Sequence, residues 1–540
     1  MKSPWFNEEH ELFRQSVRQF IDTEVRPHTE KWEEEEFIPR EVFRRMGELG
    51  FLGVNFPEKY GGSDVDFFYS VIFLEEVARA GMAGLSAAQG VHQFMSTAHL
   101  AKVGSEELKQ KYLVPAITGE KIGGLAVTEP GAGSDVANIK TRAVREGDYY
   151  IINGSKTFIT NGVYGDYVTV SCKTDPDAGT AGISLIIIDR DTPGFTANKL
   201  KKIGWRSSDT GELFFENVKV PASNLIGEEN QGFYYIMESF QLERLVAACG
   251  AIGGAEHALE ITLKYIHERE AFGRPIKKFQ SLRHDIADIA TDLEAIKQLT
   301  YHTAWLHENG EFAVKECSMA KLMTSEVGKK IADVCLQCFG GYGYMEEYPI
   351  ARMYRDARVG TIVGGTSQIM REIIAKMVID EVHYDSAYEQ PKPAQQKETT
   401  EKIEKKPVLT ETIHENGNST QNQNTSTTMS KPETAAEIIR SLTERFRPEK
   451  AEGFSALFHF DIEGDRGGQF TITVDSAGCK VEDGHLGEPS CIVKSTDSTY
   501  EDVELGRTNP QMAVMMGKIK ISNLGEMMRF SGLFTRLTEN

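Results

Sequence analysis

The stretch from residue 385 to about 432 most constrains how this chain can fold. It contains "ENGNSTQNQNTSTTMSKP", is rich in Pro, Thr and Asn, and is nearly free of aromatic residues. Such a segment cannot bury enough apolar surface to offset the entropy of ordering it, so it predicts a flexible linker. The chain on either side must then fold as separate bodies. At 540 residues it is too long for one core in any case, and roughly two to four domains are expected.

Before the linker the texture changes twice. Residues 1–121 read as a helical domain. "NEEHELFRQSVRQFIDTEV" sets Leu12, Phe13, Val17, Phe20 and Ile21 on one helical face. "PREVFRRMGELGFLG" repeats the pattern and ends in a glycine suited to a C-cap, and Ser105 suits an N-cap. Residues 122–225 break into short runs such as "YYIINGSKTFITNG", "DYVTVSCKT" and "GISLIIIDRD". These are β-branched and aromatic, separated by Gly, Asn and Asp, and predict a β-domain. Residues 226–384 return to helical periodicity, beginning with one helix long enough to take in "GFYYIMESFQLERLVAACGAIGGAEHALEITLKYIHERE" and closing with "SQIMREIIAKMVIDEVH" near 383. Helices, then sheet, then helices predict a three-part α+β enzyme core. Beyond the linker, residues 433–540 form a separate α+β domain. "TAAEIIRSLTERF" is amphipathic, "ALFHFDIEGDRGGQFTITVDSAGCKVEDG" alternates as a β-meander, and "NPQMAVMMGKIKISNLGEMMRFSGLF" predicts Met-rich helices.

Charge and cysteine content exclude some function classes. A formal net charge of −20 argues against nucleic-acid binding and against an anionic membrane surface as partner. No run of 18 apolar residues exists, so no stable membrane insertion is expected. The start lacks an apolar signal region. Seven scattered cysteines read as reduced thiols of a cytoplasmic protein. Cys335 and Cys338 form a C-x-x-C inside the apolar "IADVCLQCFGGYGY", which favours buried helix thiols over a redox or zinc pair.

"LAVTEPGAGSDVANIKTRA" (125–143) is the most specific stretch. Gly131 and Gly133 permit a tight turn, and Thr128 and Ser134 supply hydroxyls. It is followed in order by "GSKTFITNG" (154–162), "REAFGRPIKKFQ" (269–280), "QCFGGYGY" (337–344) and "GGTSQIMRE" (364–372). This series closely resembles the acyl-CoA dehydrogenase family of flavoenzymes over residues 1–383. The resemblance implies a helical domain, a β-domain and a four-helix domain, usually assembled as a homotetramer, with FAD between the β-domain and the last helices. It implies that Leu125, Val127 and Thr128 face the polar edge of the flavin. Phe158 and Thr160 lie against its other face, and Phe158 replaces the Trp frequent in relatives. Arg269, Phe272, Gln280, Gln337, Gly340 and Gly341 would hold the dinucleotide part from a neighbouring subunit, with Thr366 and Gln368 beside them. Ser134 would meet the acyl-CoA.

In the reaction that the resemblance implies, a proton leaves the thioester α-carbon and a hydride leaves the β-carbon for flavin N5, giving the trans-2-enoyl-CoA. The proton needs a carboxylate in a dry pocket, and the thioester oxygen needs hydrogen-bond donors. Many relatives carry the base as a Glu directly before Gly-Thr-Ser, but here Gly364 stands there. The isovaleryl- and long-chain-specific branch carries it instead on a helix, directly before an Arg. "QLERLVAACGAIGG" matches that pattern, which makes Glu243 the expected base and Arg244 a positioner of CoA or of the base. An isolated helical Glu usually faces solvent, but "SFQLERLVAACGA" offers few charges to pair with it. Gly364, with Gly365 beside it, keeps a backbone N–H as an expected oxyanion donor. Asp209 and Thr210 read as a turn entering a strand, and His92 as a satisfied core histidine more readily than a pocket residue.

Residues 433–540 resemble the sterol-carrier-protein type of lipid-binding domain, through "FHFDIEG", "QFTITVDSAGCKVEDG" and "MAVMMGKIKISNLGEMMRF". That resemblance implies an apolar tunnel for a fatty acyl or sterol-like lipid, without chemistry of its own. The expected protein is an FAD-dependent acyl-CoA dehydrogenase that passes electrons to an electron-transfer flavoprotein. An oxygen-using acyl-CoA oxidase on the same fold, or a non-catalytic lipid-binding scaffold, are the rival readings.

Overall fold

The computed structural model describes residues 3–384, 386, 432 and 434–537, apart from 433, 452–453, 476–477, 508–512, 514–517 and 536. Apart from Ser386 and Pro432, the linker expected at 385–432 lies outside the described residues. The chain forms two compact units, Met1–Lys392 and Pro393–Asn540.

The first unit opens with helices α1 (Glu8–Phe20), α2 (Thr29–Glu35), α3 (Arg40–Glu48), α4 (Phe67–Ala78), α5 (Ala83–Gly90), α6 (Ala98–Val103), α7 (Glu106–Leu108) and α8 (Val114–Ile117). Helix α4 is apolar on nearly every side, because it packs on both α1 and the longest helix of the unit. The Ser105 cap follows the sequence: its hydroxyl accepts from the Leu108 N–H. Helix α3 is closed by Gly50, left-handed at φ 76°, and not by Gly53 at the end of its stretch, which lies in the next turn.

The β-strands are β1 (Gly123–Ala126), β2 (Arg142–Glu146), β3 (Tyr149–Thr160), β4 (Tyr167–Lys173), β5 (Ile183–Asp189), β6 (Phe195–Lys199), β7 (Thr210–Pro221) and β8 (Leu225–Ile226). They form one sheet in the order β6-β7-β3-β2-β4-β5-β8, with β1 pairing on β4. The short β1, β2 and β6 were not distinct in the sequence. The register of β3 on β7 shifts between Lys156 and Ile159. An extra residue of this kind rotates the side chains that follow it. Lys156 is fully buried, whereas Phe158, at φ 61°, is turned out and 69% exposed.

Three long helices follow: α9 (Gly232–Glu268), α10 (Gln280–Glu308) and α11 (Val314–Phe339), then α12 (Pro349–Ala357) and α13 (Ser367–Val378). A small hairpin, β9 (Glu270–Ala271) with β10 (Arg274–Pro275), joins α9 to α10. The closing helix stops at Val378 rather than near 383, where Glu381 takes a left-handed φ of 54°. The core of this bundle is a contiguous cluster including Leu245, Cys249, Ile252, Ile289, Ile296 and Ile331.

The second unit holds α14 (Ala435–Arg440) and α15 (Leu442–Arg445). Its strands are β11 (Ala456–Glu463), β12 (Gly468–Asp475), β13 (Gly478–Asp483), β14 (Cys491–Thr496) and β15 (Ile519–Ile521), and its last helices are α16 (Asp497–Glu504) and α17 (Leu524–Ser531). The sheet order is β13-β12-β11-β14-β15, with β14 parallel to β11. The sequence reading placed residues 519–521 in a helix, and the structure corrects this to a strand. Ile519 and Ile521 flank Lys520 with period two, and β14 offers an edge to pair with. Phe530 of α17 lies 4.4 Å from the Phe458 ring and 5.8 Å from Phe460, which joins helix to sheet.

Candidate active site

Glu243 lies on α9 one turn after Ser239, whose hydroxyl donates to Glu243 Oε1 at 3.2 Å. The carboxyl is 7% exposed. Burial pushes it up to about 7, against the opposing pull of the Ser239 bond and the Arg244 charge. Arg244 is buried as well, donates to Gln241 Oε1 at 2.8 Å, and has no partner for its Nε among the described residues. A carboxyl poised near neutrality in an apolar wall suits a general base.

The loop before α13 is held from α11. Lys321 Nζ donates to the Gly360 carbonyl at 2.9 Å and to the Gly365 carbonyl. This lysine therefore ties the 360–366 loop to α11. Gly364 and Gly365 take left-handed φ values of 63° and 92°. A Cβ at Gly364 would meet nothing within 4 Å, whereas one at Gly365 would strike Met370 Cε. Thr366 caps α13 by accepting from the Ile369 N–H, and Gln368 is exposed on its first turn.

Leu125, Val127 and Thr128 run along and just past β1, beside β3. Thr157 N–H donates to the Thr128 carbonyl at 2.9 Å. Beneath them Lys156 Nζ donates to the Val127 carbonyl at 2.9 Å, to Glu129 Oε1 at 2.9 Å and to Ser171 Oγ at 3.0 Å. Burial would raise Glu129, but Lys156 and the bonds from Thr141 hold it below the usual carboxylate range. This pair fixes the backbone that Val127 and Thr128 present. Phe158 projects from the same strand as half-buried Thr160, and Ser134 is exposed in the loop after β1.

The remaining predicted residues gather at one end of the bundle. Arg269 follows α9, and its guanidinium lies 5.6 Å from the Tyr342 ring centroid, next to Gly340 and Gly341. Phe272, 94% exposed at φ 53°, packs its edge on Phe279 at 6.0 Å, beside Gln280 at the start of α10. Gln337 is exposed on the last turn of α11. No hydrogen bond or ring contact among the described residues joins this group to Phe158.

The structure also places the other sequence candidates. His92 is a core residue: Nε2 faces the Ala116 carbonyl at 3.0 Å, and Nδ1 accepts from the Gly123 N–H. Asp209 is buried and accepts from the Val163 and Tyr164 N–H groups at the entry to β7. Cys335 and Cys338 sit on α11, and all seven cysteines are free thiols. Sequence reasoning missed Lys156, Glu129, Ser239 and Lys321. Ser239 could have been found from its four-residue spacing to Glu243. Lys321 was visible as a lone cation in "CSMAKLMTS".

Comparison with known proteins identifies the family. Family models match over residues 7–120 (acyl-CoA dehydrogenase, N-terminal domain), 124–218 (middle domain), 230–379 (C-terminal domain) and 437–535 (SCP-2 sterol transfer family). The chain is 41% identical over 378 residues to the mitochondrial long-chain specific acyl-CoA dehydrogenase of Sus scrofa, covering 69% of this chain and 87% of that one. It is 40% identical over 380 residues to the mitochondrial isovaleryl-CoA dehydrogenase of Solanum tuberosum, covering 70% and 92%. The crystal structure of an acyl-CoA dehydrogenase from Geobacillus kaustophilus superposes with a TM-score of 0.67 at 46% identity, over 70% of this chain and all of that one.

Proposed function

The chain belongs to the acyl-CoA dehydrogenase family and carries a C-terminal domain of the SCP-2 type; on that premise we propose that Glu243 is the base of a flavin-dependent acyl-CoA dehydrogenation. The observation that carries the assignment is a buried carboxyl pushed up to about 7 on α9, while Gly364 offers no carboxylate at the other family position.

Glu243 takes the α-proton of the bound thioester. Its apolar surroundings keep water from competing, and Ser239 steadies the carboxyl. The N–H of Gly364 donates to the thioester oxygen as negative charge develops there, the point at which a fixed donor contributes most. Arg244 and Ser134 orient the CoA ester, with Gly365 closing the turn behind it.

The residues that would hold FAD fit that group. Phe158 is a flat, outward-turned aromatic face, and Thr160 carries its hydroxyl on the same strand. Val127 and Thr128 present backbone fixed by Lys156 and Thr157. Arg269, Gln280, Gln337 and the Gly340–Gly341 turn supply donors and close backbone suited to a pyrophosphate. When bound, FAD supplies the acceptor for the β-hydride. The exposure of Phe272 and of Tyr344 supports assembly with further copies of the chain, and a homotetramer is the proposed form. An electron-transfer flavoprotein is the proposed acceptor, and the free thiols support a reducing, cytoplasmic setting. Medium to long or branched saturated acyl-CoAs are the proposed substrates, with the SCP-2-type domain binding a fatty acyl or sterol-like lipid.

The test is Glu243→Gln in the full-length, FAD-loaded protein. Anaerobic bleaching of the flavin by an acyl-CoA panel should slow by roughly 10²- to 10⁴-fold, with FAD content unchanged. Bleaching at a near-native rate would overturn the assignment.

A further inference from the structure

We propose that Lys321 is a positioning residue for the dehydrogenation: it clamps the 360–366 loop so that the Gly364 N–H is aimed at the thioester oxygen. The proposal rests on the roles given above to Glu243 and Gly364.

Lys321 is 1% exposed on α11. A buried ammonium is retained only where it is hydrogen-bonded, and here the Gly360 and Gly365 carbonyls accept from it. Those carbonyls bracket residues 361–364. The two glycines at the end of the bracket hold left-handed φ values, and glycine by itself enforces no single conformation. A bond from a rigid helix to each flank removes that freedom. The same face of α11 stays near the loop a turn later: a Cβ at Gly360 would meet Ser325 only at ordinary contact distance, 3.8 Å.

The amide so held is available to a ligand. Gly364 is exposed, and its N–H donates to no acceptor among the described residues. Its Cβ direction is open as well. Burial, with the Arg244 charge acting in the same direction and Glu326 against it, lowers the Lys321 ammonium to about 8, and the two carbonyls are the acceptors that hold it in place.

Lys321→Met keeps the stem and loses the donors, and it should be compared with the wild type as full-length, FAD-loaded protein. Three readouts separate positioning from folding: FAD content, KM against kcat, and titration with a 3-thia-acyl-CoA. That analogue can lose its α-proton but has sulfur where the β-hydride would leave. Its deprotonation on the protein is followed by the long-wavelength absorbance of the enolate stacked on oxidised flavin. The variant should keep its FAD and its KM, lose about tenfold or more in kcat, and raise the apparent pKa of the bound analogue by about one unit. Lys321→Leu, which also lacks donors, carries the same test should Lys321→Met not fold. An unchanged kcat and titration, or a rate loss wholly matched by lost FAD, would overturn the clamp. If the wild type itself fails to bleach, the Glu243 and Gly364 reading falls instead.

Discussion

At the scale of the residue, Glu243 shows how burial creates a base. The functional form is the ionised one, so kcat/KM should rise with pH and level off above about 7. At pH 6 about a tenth of the carboxyl is ionised. Glu243→Gln should lower the limiting bleaching rate by roughly 10²- to 10⁴-fold, the usual contribution of a general base. The stability sign is opposite. The folded carboxyl is raised above its unfolded value of 4.5, so the folded state binds the extra proton between about 4.5 and 7, and stability is lost as pH rises through that window. Glu243→Gln should therefore stabilise the fold at pH 8 by on the order of 1–3 kcal/mol, seen as a raised melting temperature. That gain should vanish at pH 4.5, as thermal melts at the two pH values would show.

At the scale of the element, helix α9 was legible in the sequence as one extended helix, which the structure ends at Glu268 after 37 residues, but its glycines were not. Gly250, Gly253 and Gly254 look alike in "ACGAIGGAE". Only Gly253 meets another backbone: a Cβ there would stand 2.0 Å from the Glu75 carbonyl oxygen of α4. Gly253→Ala should cost about 1–3 kcal/mol through overpacking. Gly250→Ala, with open space around it, should stabilise by about 0.5–1 kcal/mol through helix propensity. Comparing the two melting temperatures checks both, and equal effects would contradict the close crossing. The strand at 519–521 teaches the complementary lesson. Its alternation covers too few residues to outweigh the helical pattern around it, and β14 decided the outcome.

At the scale of the whole molecule, buried histidines set the acid limit. Burial lowers His92, His99 and His257 each to about 4. Between about 6.5 and 4 the unfolded chain binds more protons than the folded one, so stability falls as pH falls through that window. Melting temperature should drop steeply from pH 6.5 to 4.5. Neither ring nitrogen of His99 has a partner among the described residues, and an unsatisfied buried polar group costs about 1–3 kcal/mol. His99→Leu should leave stability at pH 7 unchanged or higher and reduce the acid loss. Because the two units are compact by themselves, deleting residues 385–540 should leave kcat on a soluble acyl-CoA within about twofold of the full chain, since domains carry their own cores. Loss of turnover in the truncated protein would refute that independence.

The sequence by itself determined the order of domains, the long helices and most strands, because each rests on local periodicity. It also determined the motif residues, since Glu243 before Arg244 and Gly364 before the Gly-Thr-Ser turn are written along the chain. Only the tertiary structure decided which polar residues lie beneath those motifs. Lys156 reaches Glu129 across 27 residues, and Lys321 reaches Gly365 across 44. Each is an ordinary lysine until a distant backbone carbonyl is folded against it, and no local pattern encodes that meeting. The pKa of Glu243 belongs to the same class, because desolvation is set by what the rest of the chain packs around a side chain.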